Sequence, residues 1–239
     1  AIIDEGHRLE MLAHFYNQAE ARGQEVVMTY KNDDFHPGTG VIDLECGRMT
    51  ETKSFTWQTD DKIEWNSWAY HKHPDYKPAS RLVHQLVDIV SKNGNLMLDV
   101  GPRPDGTIPE PVHERLLQIG AWLKVNGEAI YGTGPTAFGP ECGAFHLDRK
   151  DKEGKPVSEA KWDWRCTTKP GKIYIHLFQW PSGGLSLDDV KGRVSQAYLL
   201  AARDQKLAVR QEGAKVVVSL PASAPDPLAS VLCLDVSTP

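Results

Sequence analysis

Leu9, Leu12, Ala13, Tyr16 and Ala19 recur at helical spacing and fall on one face, and Gly23 follows where a left-handed residue would end the helix. The next segment, Glu25-Val-Val-Met-Thr-Tyr30, is a short apolar run that suits a strand buried on both faces, as in a parallel sheet. Polar positions then dominate from Lys31 to Asn66, with Pro37, Gly38, Gly40 and Gly47 among them and only Val41-Ile42 and Phe55-Thr-Trp57 interrupting. This reads as one long loop, and loops of that length inside compact domains usually carry function. A second stripe, Leu82, Val83, Leu86, Ile89 and Val90, predicts a helix with Ser80 near its start and Asn93-Gly94 at its end. The apolar run Asn95-Leu-Met-Leu-Asp-Val100 follows as a strand. Gly101-Pro-Arg-Pro-Asp-Gly-Thr107 is dense in turn formers, and Pro109 and Pro111 lead into a third helix bearing Val112, Leu116, Ile119 and Leu123, closed by Gly127.

Helices alternating with apolar strands are the pattern of βα units on a parallel sheet. After Tyr131-Gly132 the period changes to two: Lys172-Ile-Tyr-Ile-His-Leu-Phe178, Ala197-Tyr-Leu-Leu200, Leu207-Ala-Val209, Lys215-Val-Val-Val-Ser-Leu220 and Ser230-Val-Leu-Cys-Leu-Asp-Val236. Short strands at this spacing argue for an antiparallel sandwich. The predicted fold class is therefore α/β, a partial (β/α)8-like barrel over residues 1–135 followed by a β-sandwich over 136–239. The charged run Asp148 to Lys155 reads as a solvated hairpin tip.

Composition narrows the partners. The 239 residues carry a net charge of −5, which gives none of the basic footprint that a phosphate backbone requires, so nucleic acid is not an expected partner. No apolar run is long enough to span a bilayer, so no membrane partner is expected either. Cys46, Cys142, Cys166 and Cys233 lack C-x-x-C spacing and are read as mostly buried thiols rather than a zinc or disulfide framework. His71-Lys-His73 lacks a nearby third ligand, so no metal is expected, and no glycine-rich phosphate fingerprint calls for a nucleotide cofactor. His84 and His113 read as ordinary helix positions.

In a parallel barrel, ligands meet the loops that follow the strands' C-terminal ends. The loop after Tyr30 holds Asp33, Asp34, His36, Asp43, Glu45 and Arg48, then Trp57 and Trp68; a second qualifying loop follows Val100. Carboxyls can protonate or attack at an anomeric centre while indoles pack on a pyranose, so this loop permits a glycosidase. Several acids in a polar loop and tryptophans in a core are the competing, structural account of the same residues.

Linked motifs carry the reading further. Ser67-Trp-Ala-Tyr70, then Leu86-Val-Asp-Ile-Val-Ser-Lys-Asn-Gly-Asn-Leu-Met-Leu-Asp-Val-Gly-Pro102, Asp105-Gly-Thr-Ile-Pro109 and Asn126-Gly-Glu-Ala-Ile-Tyr-Gly132 together resemble the α-L-fucosidases of glycoside hydrolase family 29. The match is collinear from about Trp57 to Gly132. The resemblance implies a retaining exo-α-L-fucosidase with a C-terminal sandwich, α-L-fucoside substrates, no cofactor, room for a homo-oligomer, and a periplasmic, secreted or lysosomal setting. It also implies an aspartate nucleophile on an earlier strand. No Trp-Phe-Asp-Gly type segment precedes Glu25, and Asp4 lacks the apolar strand and aromatic context, so residues 1–239 alone are expected to be inactive.

The same resemblance makes Glu45, in Val41-Ile-Asp-Leu-Glu-Cys-Gly47, the expected acid/base, with Asp43 and then Glu51 as alternatives. Trp68 matches an aromatic that packs on the sugar, Trp57 matches a loop tryptophan, and Lys31 stands near a sugar-contacting arginine of relatives. Ala69 and Asp99 depart from the family's glycine and asparagine at framework positions. A fucose-binding protein without catalysis, or a related retaining glycosidase acting on fucans, are the alternative functions.

Overall fold

The computed structural model describes residues 3–31, 34–139 and 164–237; Asp33, Cys142 and the run Asp148 to Lys155 lie outside them. The first helix, α1, spans Glu5–Ala21. Asp4 caps it by accepting the Gly6 N–H at 2.9 Å, a structural role for this carboxylate, and Gly23 takes the left-handed conformation (φ 62°) just beyond the C-cap Arg22. Only Leu12 and Ala19 of the helix are buried, while Leu9, Met11 and Phe15 stay exposed. The stripe is therefore covered only in part; from the same face Tyr16 Oη donates to the Thr39 carbonyl at 2.7 Å.

Four parallel strands follow in the order β1 (Thr29–Tyr30), β2 (Val41–Glu45), β3 (Trp57–Lys62) and β4 (Gly94–Asp99). This corrects the sequence reading twice. The strand expected from Glu25 shrinks to two residues, with Val26 and Val27 exposed, because β1 has a ladder partner on one side only. Conversely, the stretch read as one long loop contains both β2 and β3. Their polarity hid them: β3 is Trp-Gln-Thr-Asp-Asp-Lys, with Trp57, Thr59 and Asp61 buried on alternate positions. Burying an aspartate in a strand works only because partners meet it. Asp61 faces Lys77 Nζ at 2.9 Å and accepts a short hydrogen bond from Gln85 Nε2. Burial alone would raise the Asp61 carboxyl, but the Lys77 ammonium and the donors around it hold it below the usual range.

Helix α2 (Ala79–Ser91) returns β3 to β4, and α3 (Glu110–Asn126) follows β4, so β3-α2-β4-α3 forms regular βα units. Leu82 and Val112 from the helices pack with Ile63, Leu98 and Val100 on the sheet. Asn93, rather than Gly94, adopts the left-handed conformation after α2 (φ 72°). Gly94 serves a different need, since a Cβ there would stand 2.5 Å from the Trp57 ring.

From Trp164 onward the strands are antiparallel. They are β5 (Trp164–Lys169), β6 (Lys172–Leu177), β7 (Leu185–Leu187), β8 (Arg193–Leu199), β9 (Ala202–Lys206), β10 (Val209–Glu212), β11 (Lys215–Val218) and β12 (Ser230–Ser237). They make a five-stranded sheet, β5-β6-β12-β8-β9, facing a three-stranded one, β10-β11-β7. Alternation sends Ile173, Ile175, Leu232 and Leu234 into the core between the sheets. Tyr174, Val231 and Cys233 point the other way, against Val83, Val87 and Trp122 of α2 and α3. The central strands β6 and β12 of the five-stranded sheet are thus buried on both faces. Polar contacts fasten it to the helices: Trp122 Nε1 donates to the Ala229 carbonyl at 2.7 Å, and His84 Nε2 lies 2.7 Å from the Leu228 carbonyl. Cys166 and Cys233 are buried as expected, whereas Cys46 is exposed.

His176 sits fully buried in this joint, 3.0 Å from Thr167 Oγ1, and burial pushes its pKa down from 6.5 to about 3. A depressed imidazole stabilises the fold above its ordinary pKa and loses that contribution as pH falls from about 6.5 toward 3. His176→Gln is therefore expected to flatten the fall in denaturation midpoint across that window. An unchanged difference between the two proteins at all pH values would refute this.

Candidate active site

Strand alternation and register decide which polar groups meet. On β2 and β3 the pairs Asp43↔Gln58 and Glu45↔Asp60 lie side by side, and β4 continues the row with Asn95, Met97 and Asp99. These side chains project from the face opposite α2 and α3. At the C-terminal ends of the strands, Lys31 reaches across them. Its Nζ donates to Asp60 at 3.0 and 3.2 Å and to Glu45 Oε2 at 3.2 Å, and it lies 3.4 Å from Asp43 Oδ2. Burial works against the ammonium, but the carboxylates of Asp60, Glu45 and Asp43 outweigh it and hold Lys31 above its usual range. Asp43 is buried, with Gln58 Nε2 3.4 Å away, while the Glu45 side chain is 59% exposed. Glu45 therefore has the freedom to meet a ligand, and Asp43 has little.

Three of the residues singled out from sequence, Lys31, Asp43 and Glu45, thus converge. Asp60 belongs with them and escaped the sequence reading because its segment was taken for loop. Recognised as a strand, Trp57–Lys62 would have placed Asp60 beside Glu45 by alternation alone. Glu51 lies in the connection between β2 and β3, which by Lys53 has reached the opposite end of the sheet, where the Lys53 N–H donates to the Lys92 carbonyl at 3.3 Å. Trp57 requires a correction. It opens β3 at that same far end, is fully buried, and gives its indole N–H to the Lys92 carbonyl at 3.0 Å, so its ring faces the core and not a ligand.

Trp68 is carried by the loop after β3. Lys62, the last residue of that strand, places its ammonium 5.0 Å from the Trp68 ring centroid and 3.5 Å from Cys46 Sγ, so one side chain links the indole to the residue next to Glu45. Cys46 itself takes a left-handed backbone conformation (φ 49°), an uncommon one for a residue with a side chain, where β2 ends. The Trp68 loop is pinned by Glu64, which accepts backbone N–H bonds from Asn66 and Asp75 at 2.9 Å each and a short one from Ser67, with His71 Nε2 at 3.3 Å. Burial would raise the Glu64 carboxyl, and these donors instead hold it below the usual range. Gly101, in the left-handed region, lets the backbone of residues 68–70 pass close: a Cβ there would lie 3.2 Å from the Trp68 carbonyl oxygen. Nothing in the motif reading pointed to Glu64, since a carboxylate that organises a loop has no spacing of its own.

The family model for α-L-fucosidase matches residues 4–128. The chain belongs to the α-L-fucosidase family. Human plasma α-L-fucosidase is 34% identical over 186 residues, covering 72% of this chain and 35% of that protein. Bovine tissue α-L-fucosidase is 28% identical over 225 residues, 90% of this chain and 44% of its own length. Among solved structures, the Thermotoga maritima α-fucosidase in complex with a mechanism-based inhibitor superposes with a TM-score of 0.71 at 25% identity, covering 97% of this chain and 49% of that one. α-L-fucosidase isoenzyme 1 from Paenibacillus thiaminolyticus gives a TM-score of 0.66 at 29% identity, over 82% of this chain and 45% of its own. The chain therefore spans between about a third and a half of the length of these relatives. The fold expected from sequence, part of an α/β barrel followed by a sandwich, agrees with these neighbours.

Proposed function

We propose that the protein containing this chain hydrolyses terminal α-L-fucosides with retention, Glu45 acting as the acid/base and Trp68 as a platform for the sugar. The observation that carries the reading is the meeting of Glu45, Asp43, Asp60 and Lys31 at the C-terminal ends of three adjacent parallel strands, where a barrel enzyme holds its chemistry. Glu45 is the one carboxyl of the group with more than half its side chain open to a ligand.

Retention demands two carboxyl groups about 5–5.5 Å apart. One attacks the anomeric carbon and forms a glycosyl ester while the other protonates the departing oxygen; water then enters with the second group as base. Glu45 supplies the proton in the first half and removes one from water in the second. The nucleophile is assigned to an earlier strand by the family resemblance, and Asp4, occupied in capping α1, does not take that part. The boundary between the barrel portion and the sandwich is placed near residue 135.

Two measurements test the proposal. Proton NMR of aryl α-L-fucoside turnover by the complete gene product should show the α-anomer of fucose first; initial appearance of the β-anomer, or no turnover, would overturn it. Trp68→Ala should raise KM for the fucoside about tenfold, the order expected from losing one stacked indole, with a smaller effect on kcat. An unaltered KM would remove Trp68 from the site.

A further inference from the structure

Lys31 presents a puzzle for the reading above, since a general acid works only while protonated and a neighbouring ammonium favours the carboxylate. An ammonium has three N–H donors, and their distribution here is uneven. Both oxygens of Asp60 take Lys31 Nζ, at 3.0 and 3.2 Å, whereas Glu45 offers one oxygen at 3.2 Å and Asp43 lies at 3.4 Å. We infer that Asp60 is a positioning residue for the acid/base step: by taking Lys31 Nζ on both its oxygens it limits that ammonium to one contact with a single oxygen of Glu45. The inference rests on Glu45 being the acid/base.

The surrounding charges support it. Lys31 approaches Glu45 from the end of β1, Asp43 from β2 itself, Asp60 and Lys62 from β3, and Asp99 lies beside Lys62 on β4. Lys62 is turned toward Cys46 Sγ and the Trp68 ring, so Lys31 is the cation in contact with Glu45. Around these two ammonium groups stand four carboxyl groups, counting Glu45, so the ensemble carries an excess of negative charge when all are ionised. Lys31 holds Glu45 by a single contact at 3.2 Å, and of the three carboxyls within reach of that ammonium Glu45 is the one left open to a ligand. Asp60 is only 19% exposed and anchors its side of the contact. Removing Asp60's charge frees two donors of Lys31 to turn to Glu45 and weakens the hold of Glu45 on its proton.

The test is the pH profile of kcat/KM for an aryl α-L-fucoside, using the complete gene product. Asp60→Asn is expected to move the alkaline limb to lower pH by about one pH unit, the influence of one neighbouring charge, and Asp60→Glu should restore it. Lys31→Met should move the same limb to higher pH. Limbs that stay in place, or move in the same direction in Asp60→Asn and Lys31→Met, overturn the inference; if Asp60→Asn does not fold, an unmoved limb in Lys31→Met does so alone. Failure of the underlying assignment has a separate signature, namely full activity in Glu45→Ala.

Discussion

Glu45→Ala in the complete gene product is expected to cut kcat/KM for an alkyl α-L-fucoside by roughly 10²–10⁴-fold, the range that a positioned general acid contributes. An aryl fucoside with an activated leaving group should lose far less in its first step, because a stable phenolate needs little protonation as it departs. The second step still lacks a base to activate water, so the glycosyl ester accumulates on the aryl substrate. Azide needs no deprotonation and can occupy the space that the carboxyl vacates, so it should restore turnover and yield fucosyl azide of retained configuration. The asymmetry between leaving groups is the decisive feature. Equal loss on both substrates, with no response to azide, would move the role from Glu45 to another residue.

The largest expected effect on stability lies far from the site. Asp88 on α2 is buried against two cations: Lys92 Nζ contacts both its oxygens at 2.9 Å, and Arg165 Nε on β5 approaches at 3.0 Å. Burial alone would raise this carboxyl, and Lys92 followed by Arg165 holds it ionised, below the usual carboxylate range. The cluster joins the helix layer of the parallel sheet to the first strand of the antiparallel one. Asp88→Ala would take from Lys92, 1% exposed, the carboxylate that its ammonium contacts through both oxygens at 2.9 Å. Truncating one partner of a buried ion pair typically costs about 3–5 kcal/mol. We expect a loss of that order in the free energy of denaturant unfolding. Replacing the group by apolar residues of similar volume should cost much less, since no charge is then left buried. A loss under about 1 kcal/mol for Asp88→Ala would show that the Lys92 ammonium finds water or another partner.

Much of this was legible in the chain. The stripes on α2 and α3 and the run before Val100 announced βα units, because apolar side chains must recur at the helical or strand period to reach a common core. β6, β11 and β12 were legible for the same reason, whereas β5, β7 and β9 were not predicted, and the collinear motifs around Trp68 and residues 86–132 pointed to the family. β2 and β3 were not visible. Their outward-facing positions carry Asp43, Glu45 and Asp60, which gather around Lys31, and the inward Asp61 is stabilised by Lys77 and Gln85, which come from residues well downstream. Trp57 failed for the opposite reason: an aromatic in a polar stretch suggests a ligand platform, yet its ring fills the space left by Gly94.

By itself, then, the amino-acid sequence determined the class of fold and the family, since these depend on periodicity and on motifs local in the chain. Only the tertiary structure decided that Asp60 and Lys31 share a site with Glu45, that Trp57 does not, and that Glu64 holds the loop of Trp68. Strand register and long-range ion pairs set those relations, and they join residues whose separation along the chain carries no periodic signal.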